Sequence, residues 1–292
     1  MGKIIVRLTG GLGNQMHQYA FGLYLQKLTK FELLIDVNFL HLDASRLNIT
    51  KRNFELDNFQ ITATKYSALL SNYYLNVLLL RSAMLRWILI NLFGINYVIN
   101  NSLSATDLKK SKIIYVNGVF GTVSQYMEVL GEIKKEFAVN PNYQQIKLNV
   151  DKSIVKQNSV AVHVRRTDYL KSGSIHAVLD IDYYKKAFDV ILKEIPNPSF
   201  YLFGDDELWI KNNLLSILPD ATFLNYKGEH AALFDFSAMS YCEHMVTSNS
   251  TFSWWATLMG CTETSIVVAP YRWLRQESLD VTNAYPPNWY VI

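Results

Sequence analysis

Lys3-Ile4-Ile5-Val6-Arg7-Leu8 runs directly into Thr9-Gly10-Gly11-Leu12-Gly13-Asn14. A short apolar run closed by clustered glycines reads as a buried strand followed by a tight turn, where the lack of a Cβ lets backbone come close to a neighbour or ligand. Past the turn, Met16, Tyr19, Ala20 and Leu23 recur on one face of a helix that should run to about Thr29. A second strand is expected over Glu32 to Ile35, ending at Asp36. Strand, glycine turn, helix and strand in that order open a doubly wound α/β domain.

The chain then becomes irregular and aromatic, and helical to about Asn100, before a strand at Ile113 to Val116 and a helix over Ser124 to Phe137. Asn140-Pro141-Asn142 to Asn158 is polar and reads as the joint between domains. Beyond it strands are expected at 160–164, 200–203, 222–224, 245–247 and 265–269, with helices between them. The expected architecture is two Rossmann-like α/β domains, residues 1–150 and 151–292, facing each other across a cleft.

Of 292 residues, 50% are hydrophobic and 18% charged, and the formal net charge is +3. So mild an excess excludes a nucleic-acid binder, and the densest basic run, Lys109-Lys110-Ser111-Lys112, reads as a solvated turn. Two cysteines, Cys242 and Cys261, make no disulfide framework. With no secretory signal at the start, a reducing cytoplasm is the expected compartment. Leu75 to Ile99 is strongly apolar, but Arg81 and Arg86 interrupt it and Asn91, Gly94 and Asn96 follow. A spanning helix needs about 20 predominantly apolar residues. A buried helical pair is therefore expected. The alternative is a helix lying on the inner face of a membrane, its arginines toward anionic headgroups.

The strongest local signal is Val160-Ala161-Val162-His163-Val164-Arg165-Arg166-Thr167-Asp168-Tyr169. Alternation along a strand puts His163 and Arg165 on one face, at the carboxyl end where open α/β sheets bind ligands. Adjacent arginines there suit an anion, because a guanidinium matches phosphate oxygens with a planar fork; an Arg–Asp pair closing a loop is the alternative. Thr247-Ser248-Asn249-Ser250-Thr251-Phe252-Ser253-Trp254-Trp255 carries a strand into a helix, as a plain N-cap or as a diphosphate cradle. The glycine turn with Asp36 is half of a dinucleotide fingerprint, weakened by Met16 in the third glycine's place. An oxidoreductase binding NAD or a nucleotide sugar is thus one alternative function, and a non-catalytic sugar-binding protein another. Asp182 reads as a helix cap, and Asp205-Asp206 as a sheet-edge pair suited to a ribose or a base; no metal site is expected.

These motifs together resemble the bacterial α-1,2-fucosyltransferases of glycosyltransferase family 11. The resemblance rests on Gly10 to Met16 with Gln18-Tyr19-Ala20, the H-x-R-R-x-D block at His163 to Asp168, Tyr183-Tyr184, Phe203-Gly204-Asp205-Asp206, and Ser248 to Trp255. It implies a GT-B fold and cofactor-free, metal-independent, inverting transfer of fucose from GDP-fucose to a galactose-terminated glycan. The C-terminal half would hold GDP and the N-terminal half the acceptor. Arg165, with Arg166, would meet the diphosphate, His163 would lie near the nucleoside, and Asp168 would hold the arginine loop. Asp205, Asp206 and Asp235 would contact guanine or ribose. Ser250, Thr251 and Ser253 would face the β-phosphate, and Gly11, Gly13, Asn14 and Gln15 the pyrophosphate–fucose side. His17 stands where that pattern has Phe. Asp168 and Glu207 are carboxylates near the motifs, yet neither is singled out as the base.

Overall fold

The computed structural model describes residues 2–42, 52–67, 70, 72–99, 105–118, 121–154, 156–171, 175–275 and 283–292. The chain divides into Met1–Ala138 and Val139–Ile292, a boundary ahead of residue 150. The first unit holds a parallel sheet of β1 (Lys3–Arg7), β2 (Glu32–Asp36), β3 (Thr64–Lys65), β4 (Ile95–Val98) and β5 (Ile113–Asn117), in the order β3-β2-β1-β5-β4. The helix Leu12–Thr29 makes the crossover from β1 to β2. It packs closely because of Gly22, where a Cβ would stand 2.7 Å from Leu33 and 2.8 Å from Val6. The close helix–sheet approach that the Met16 position lacks is provided two turns later.

The second unit contains β6 (Ser159–Val164), β7 (Ser199–Gly204), β8 (Thr222–Phe223), β9 (His244–Val246), β10 (Val267–Ala269) and β11 (Tyr290–Val291). Their order is β11-β10-β9-β6-β7-β8, all parallel. The chain winds outward from β6 through β8, then returns to lay β9 on the other side of β6. That reversal opens a crevice between the carboxyl ends of β6 and β9.

Two expectations need correction. The polar stretch after Asn140 is not an open joint: Gln144–Ser153 is a helix, and Ile146, Val150 and Ile154 are buried along it. Apolar residues every fourth position outweigh the polar composition, and the helix packs on Ala231–Tyr241. The apolar segment does form a helical pair, Tyr73–Arg81 and Ala83–Ile88, the latter continuing through Leu89–Phe93, with a bend of 101°. Asn72 and Ser82 cap the two starts. Leu75, Leu79, Leu85 and Leu89 pack on the cluster of Ile5, Leu34, Tyr97 and Tyr115. The opposite side is not buried. Among the described residues no single helix is long and apolar enough to cross a membrane.

Candidate active site

At the crevice of the second unit, β6 ends in Val164 and hands on to Arg165, while β9 hands on to Thr247 and Ser248. The two strongest sequence blocks thus leave adjacent strands at the same sheet edge. On the other flank β7 ends in Gly204, where a Cβ would lie 2.5 Å from the Val164 carbonyl oxygen. Only glycine lets the strands run so close, and the approach brings Asp205 onto the arginine loop. Its Oδ1 accepts the Arg166 backbone N–H at 2.8 Å and its Oδ2 the Thr167 hydroxyl at 2.7 Å.

Arg165 is gripped from two sides. Nη2 donates to Asp168 Oδ2 at 2.6 Å, and Nη1 lies 3.3 Å from Asp205 Oδ2. Burial works against its charge, but the two carboxylates outweigh burial and raise its pKa. The guanidinium sits 5.9 Å from the Tyr169 ring centroid, and the Tyr169 hydroxyl donates to the Asn249 carbonyl at 3.0 Å. That bond ties the arginine loop to the serine-rich loop. The Arg165 side chain keeps 28% of its surface exposed.

Arg166 is held differently from Arg165. Its Nε pairs with Asp206 Oδ2 at 3.2 Å, its Nη1 donates to the Leu179 carbonyl at 2.9 Å, and its guanidinium stacks 4.3 Å from the Trp209 ring centroid. Neighbouring residues on an extended chain point opposite ways. Arg165 therefore faces the crevice, while Arg166 is locked into the protein. Asp206 is committed as well, since its Oδ1 caps the turn at Glu207 by accepting the Trp209 N–H.

His163 is buried, with Nδ1 2.8 Å from Ser248 Oγ and its ring 5.8 Å from that of Phe252. Burial, reinforced by Arg165, pulls its pKa down to about 3, so it is neutral. Ser250 caps the helix Thr251–Gly260, its Oγ accepting the Phe252 N–H. Thr251 is half-buried at that helix start, whereas Ser253 is fully buried and its hydroxyl returns to the Ser250 carbonyl. Asp235 lies on Ala231–Tyr241, the helix whose Phe236 meets Phe252 edge-on. Its Oδ1 is buried without a hydrogen-bond partner, and burial pushes its pKa up to about 7.

In the first unit Gly10 adopts φ 76°, a left-handed turn suited to glycine, and Gly11 caps the helix, with the Arg52 guanidinium 3.8 Å from where a Cβ would be. Asn14 folds back on Gly10, and Gly13 is buried. Gln15 is fully buried, donating to the carbonyls of Gly10 and Asn53 and accepting the Glu55 N–H. It fastens residues 53–55 to the turn. The Glu55 carboxylate, which no local motif marks, accepts the Leu12 backbone N–H, and burial raises its pKa despite nearby Arg52. The helix start expected to meet a pyrophosphate is thus already faced by a carboxylate. Asp36, at the ribose-acid position, is 1% exposed and accepts from Tyr115 and Asn38. That arrangement removes the ground for the NAD reading. His17 pairs with the Tyr126 hydroxyl at 3.0 Å, and burial holds its pKa at about 3. Of the carboxylates near the motifs, Asp168 is engaged by Arg165, and Glu207 is bonded to Lys211, which lowers its pKa.

The family model of Glycosyl transferase family 11 matches residues 2–292. The chain belongs to that family. Across 91% of its length it is 28% identical to the O-antigen biosynthesis glycosyltransferase WbnK of Escherichia coli, of which the match covers 93%. It is 25% identical to an alpha-1,2-colitosyltransferase of Escherichia coli, over 99% of this chain and 98% of that one. Among solved structures, a mutant of Arabidopsis thaliana FUT1 in complex with GDP superposes with a TM-score of 0.56 at 12% identity, over 93% of this chain and 70% of that one. Fucosyltransferase NodZ from Bradyrhizobium gives 0.56 at 14%, over 88% and 93%. The fold of this family 11 glycosyltransferase is therefore GT-B-like.

Two predictions follow from this glycosyltransferase's loops. Arg166→Lys, which loses both the fork and the Trp209 stack, should destabilise the fold by about 2 kcal/mol in urea unfolding, whereas Arg165→Lys should stay within about 1 kcal/mol. For Asp235, the native carboxyl holds its proton up to about pH 7, against 3.8 for its ordinary value. The unfolded chain releases that proton earlier, so stability falls as pH rises between those values. Asp235→Asn should therefore stabilise the fold against unfolding at pH 8, by up to about 4 kcal/mol, and leave stability unchanged at pH 3.

Proposed function

We propose that this glycosyltransferase moves L-fucose from GDP-β-L-fucose to the 2-hydroxyl of a terminal galactose, in O-antigen or other surface-glycan synthesis. The transfer inverts the fucose carbon and uses no metal ion. The observation that carries the reading is Arg165, held charged and part-exposed at the strand reversal and tied through Tyr169 to the loop that starts the helix Thr251–Gly260. The C–O bond from fucose to the β-phosphate breaks as the acceptor oxygen bonds to the same carbon from the opposite face. Negative charge then grows on the β-phosphate, and a preorganised guanidinium with helix N–H groups stabilises it. His163, Ser250 and Thr251 belong to this donor side. Guanine presents two adjacent N–H donors, and the unpartnered Oδ1 of Asp235 is an acceptor for one of them. The likeness to an alpha-1,2-colitosyltransferase makes a colitosyl nucleotide the competing donor.

The acceptor hydroxyl must also lose its proton. It passes to the departing β-phosphate oxygen as the new bond forms. Asp168 and Glu207 are held by Arg165 and Lys211.

The deciding assay offers GDP-fucose and a colitosyl nucleotide to β-1,3- and β-1,4-linked galactosides. Fucosylation at the 2-hydroxyl with inverted configuration, unaffected by EDTA, is expected; a preference for the colitosyl donor would replace the donor assignment. Arg165→Lys should lower turnover roughly a hundredfold, the equivalent of about 3 kcal/mol, and weaken GDP binding far less.

A further inference from the structure

The helical pair at residues 73–93 has a second face that the fold does not cover. Met84 is 67% exposed, Trp87 64%, Leu92 70% and Phe93 60%, with Leu78 exposed beside them. Isolated exposed apolar residues are ordinary, but several large ones on one element mark a docking surface. Leu85 and Leu89 face the core, while Met84 and Trp87, three residues apart, stand together on the exposed side.

Charge selects the occupant. From Asn58 through Thr106 the sequence contains no Asp or Glu. Arg81 is exposed, and Arg86 turns its guanidinium back onto the carbonyls of Leu79 and Leu80, which leaves the apolar face uninterrupted. The basic run beyond β4 lies alongside: Lys110 Nζ donates to Asn91 Oδ1 at 3.1 Å, and the Lys112 N–H donates to the Gly94 carbonyl at 2.7 Å. Lys109, Lys110 and Lys112 are all exposed. An apolar strip carrying a tryptophan, with a cationic rim and no carboxylate within it, is the chemistry of a helix resting in a headgroup layer. A two-fold pairing with a second copy would bring the same cationic rim against itself.

We propose that residues 78–93, with Lys109, Lys110 and Lys112, dock this glycosyltransferase on an anionic phospholipid bilayer. The apolar side chains enter the headgroup region, and neither helix crosses it. This rests on the first unit's surface alone and is independent of the donor and acceptor assignments.

The test is flotation of the full chain with phosphatidylcholine vesicles, with and without about a third phosphatidylglycerol. Binding is expected to the anionic vesicles and to weaken with salt. Trp87→Ser with Leu92→Ser should reduce partitioning at least about tenfold, with melting temperature and solution turnover unchanged. Lys109→Ser with Lys110→Ser should abolish the preference for anionic lipid. Three results would overturn the proposal. The wild type could ignore both vesicle types, or the Trp87/Leu92 variant could float as well as wild type. The wild type could also prove to be a dimer that the same variant turns into a monomer without any vesicle binding.

Discussion

A guanidinium at the open end of a parallel sheet has to stay charged, stay aimed at the crevice and still leave part of itself free for a ligand. Asp168 and Asp205 meet the first two demands for Arg165 by holding Nη2 and Nη1. The third is met because the grip comes from carboxylates on the protein side. Everything else at this edge supports that arrangement. Gly204 allows β7 to come close enough for Asp205 to reach, Asp205 also fastens the backbone at Arg166, and Tyr169 joins the loop to Asn249. Asn249 is in turn anchored by donation to the Ala177 and Trp273 carbonyls.

The two units build the same kind of parallel sheet, in different strand orders and with different electrostatics. At the carboxyl edge of the first sheet, polar groups close on one another. Tyr115 donates to Asp36, Arg7 to Asn117, and Asn117 to the Tyr97 hydroxyl. At the second sheet the corresponding edge keeps a cation part-exposed. A doubly wound sheet provides a crevice; the residues at the strand ends determine whether it is filled by the protein or left for a ligand.

Local pattern made much of this readable. The strand–glycine–helix opening, the restart at Val160 and the helices before β7 and β9 are each carried by a period of two or 3.6 within a few residues. What could not be read depends on partners distant in sequence. Arg165 and Arg166 are equivalent as letters, and their separation into a part-exposed and a locked side chain follows from Asp205 and Asp206 about forty positions later. Asp36 looked like a ribose acid until Tyr115 was placed beside it. Glu55 carries no motif, and only Gln15 brings it to the glycine turn. The apolar run at 75–99 concealed its exposed side because its composition fills both faces of the helices.

The long return from β6 to β9 has a consequence for how the protein comes into being. His163 and Ser248 are 85 positions apart, and Tyr169 and Asn249 are 80 apart. Such pairings carry a loop-closure penalty before they stabilise anything, and they form late in folding. On the ribosome, a nascent chain that has only reached β8 would already have β6 and β7 side by side, with Arg165 and its carboxylates in place. The crevice would still lack its second wall. Until β9 arrives, the central strand of the unit has an unpaired edge. During synthesis the second unit thus passes through an interval in which chaperone binding or misassociation competes with completion of the sheet.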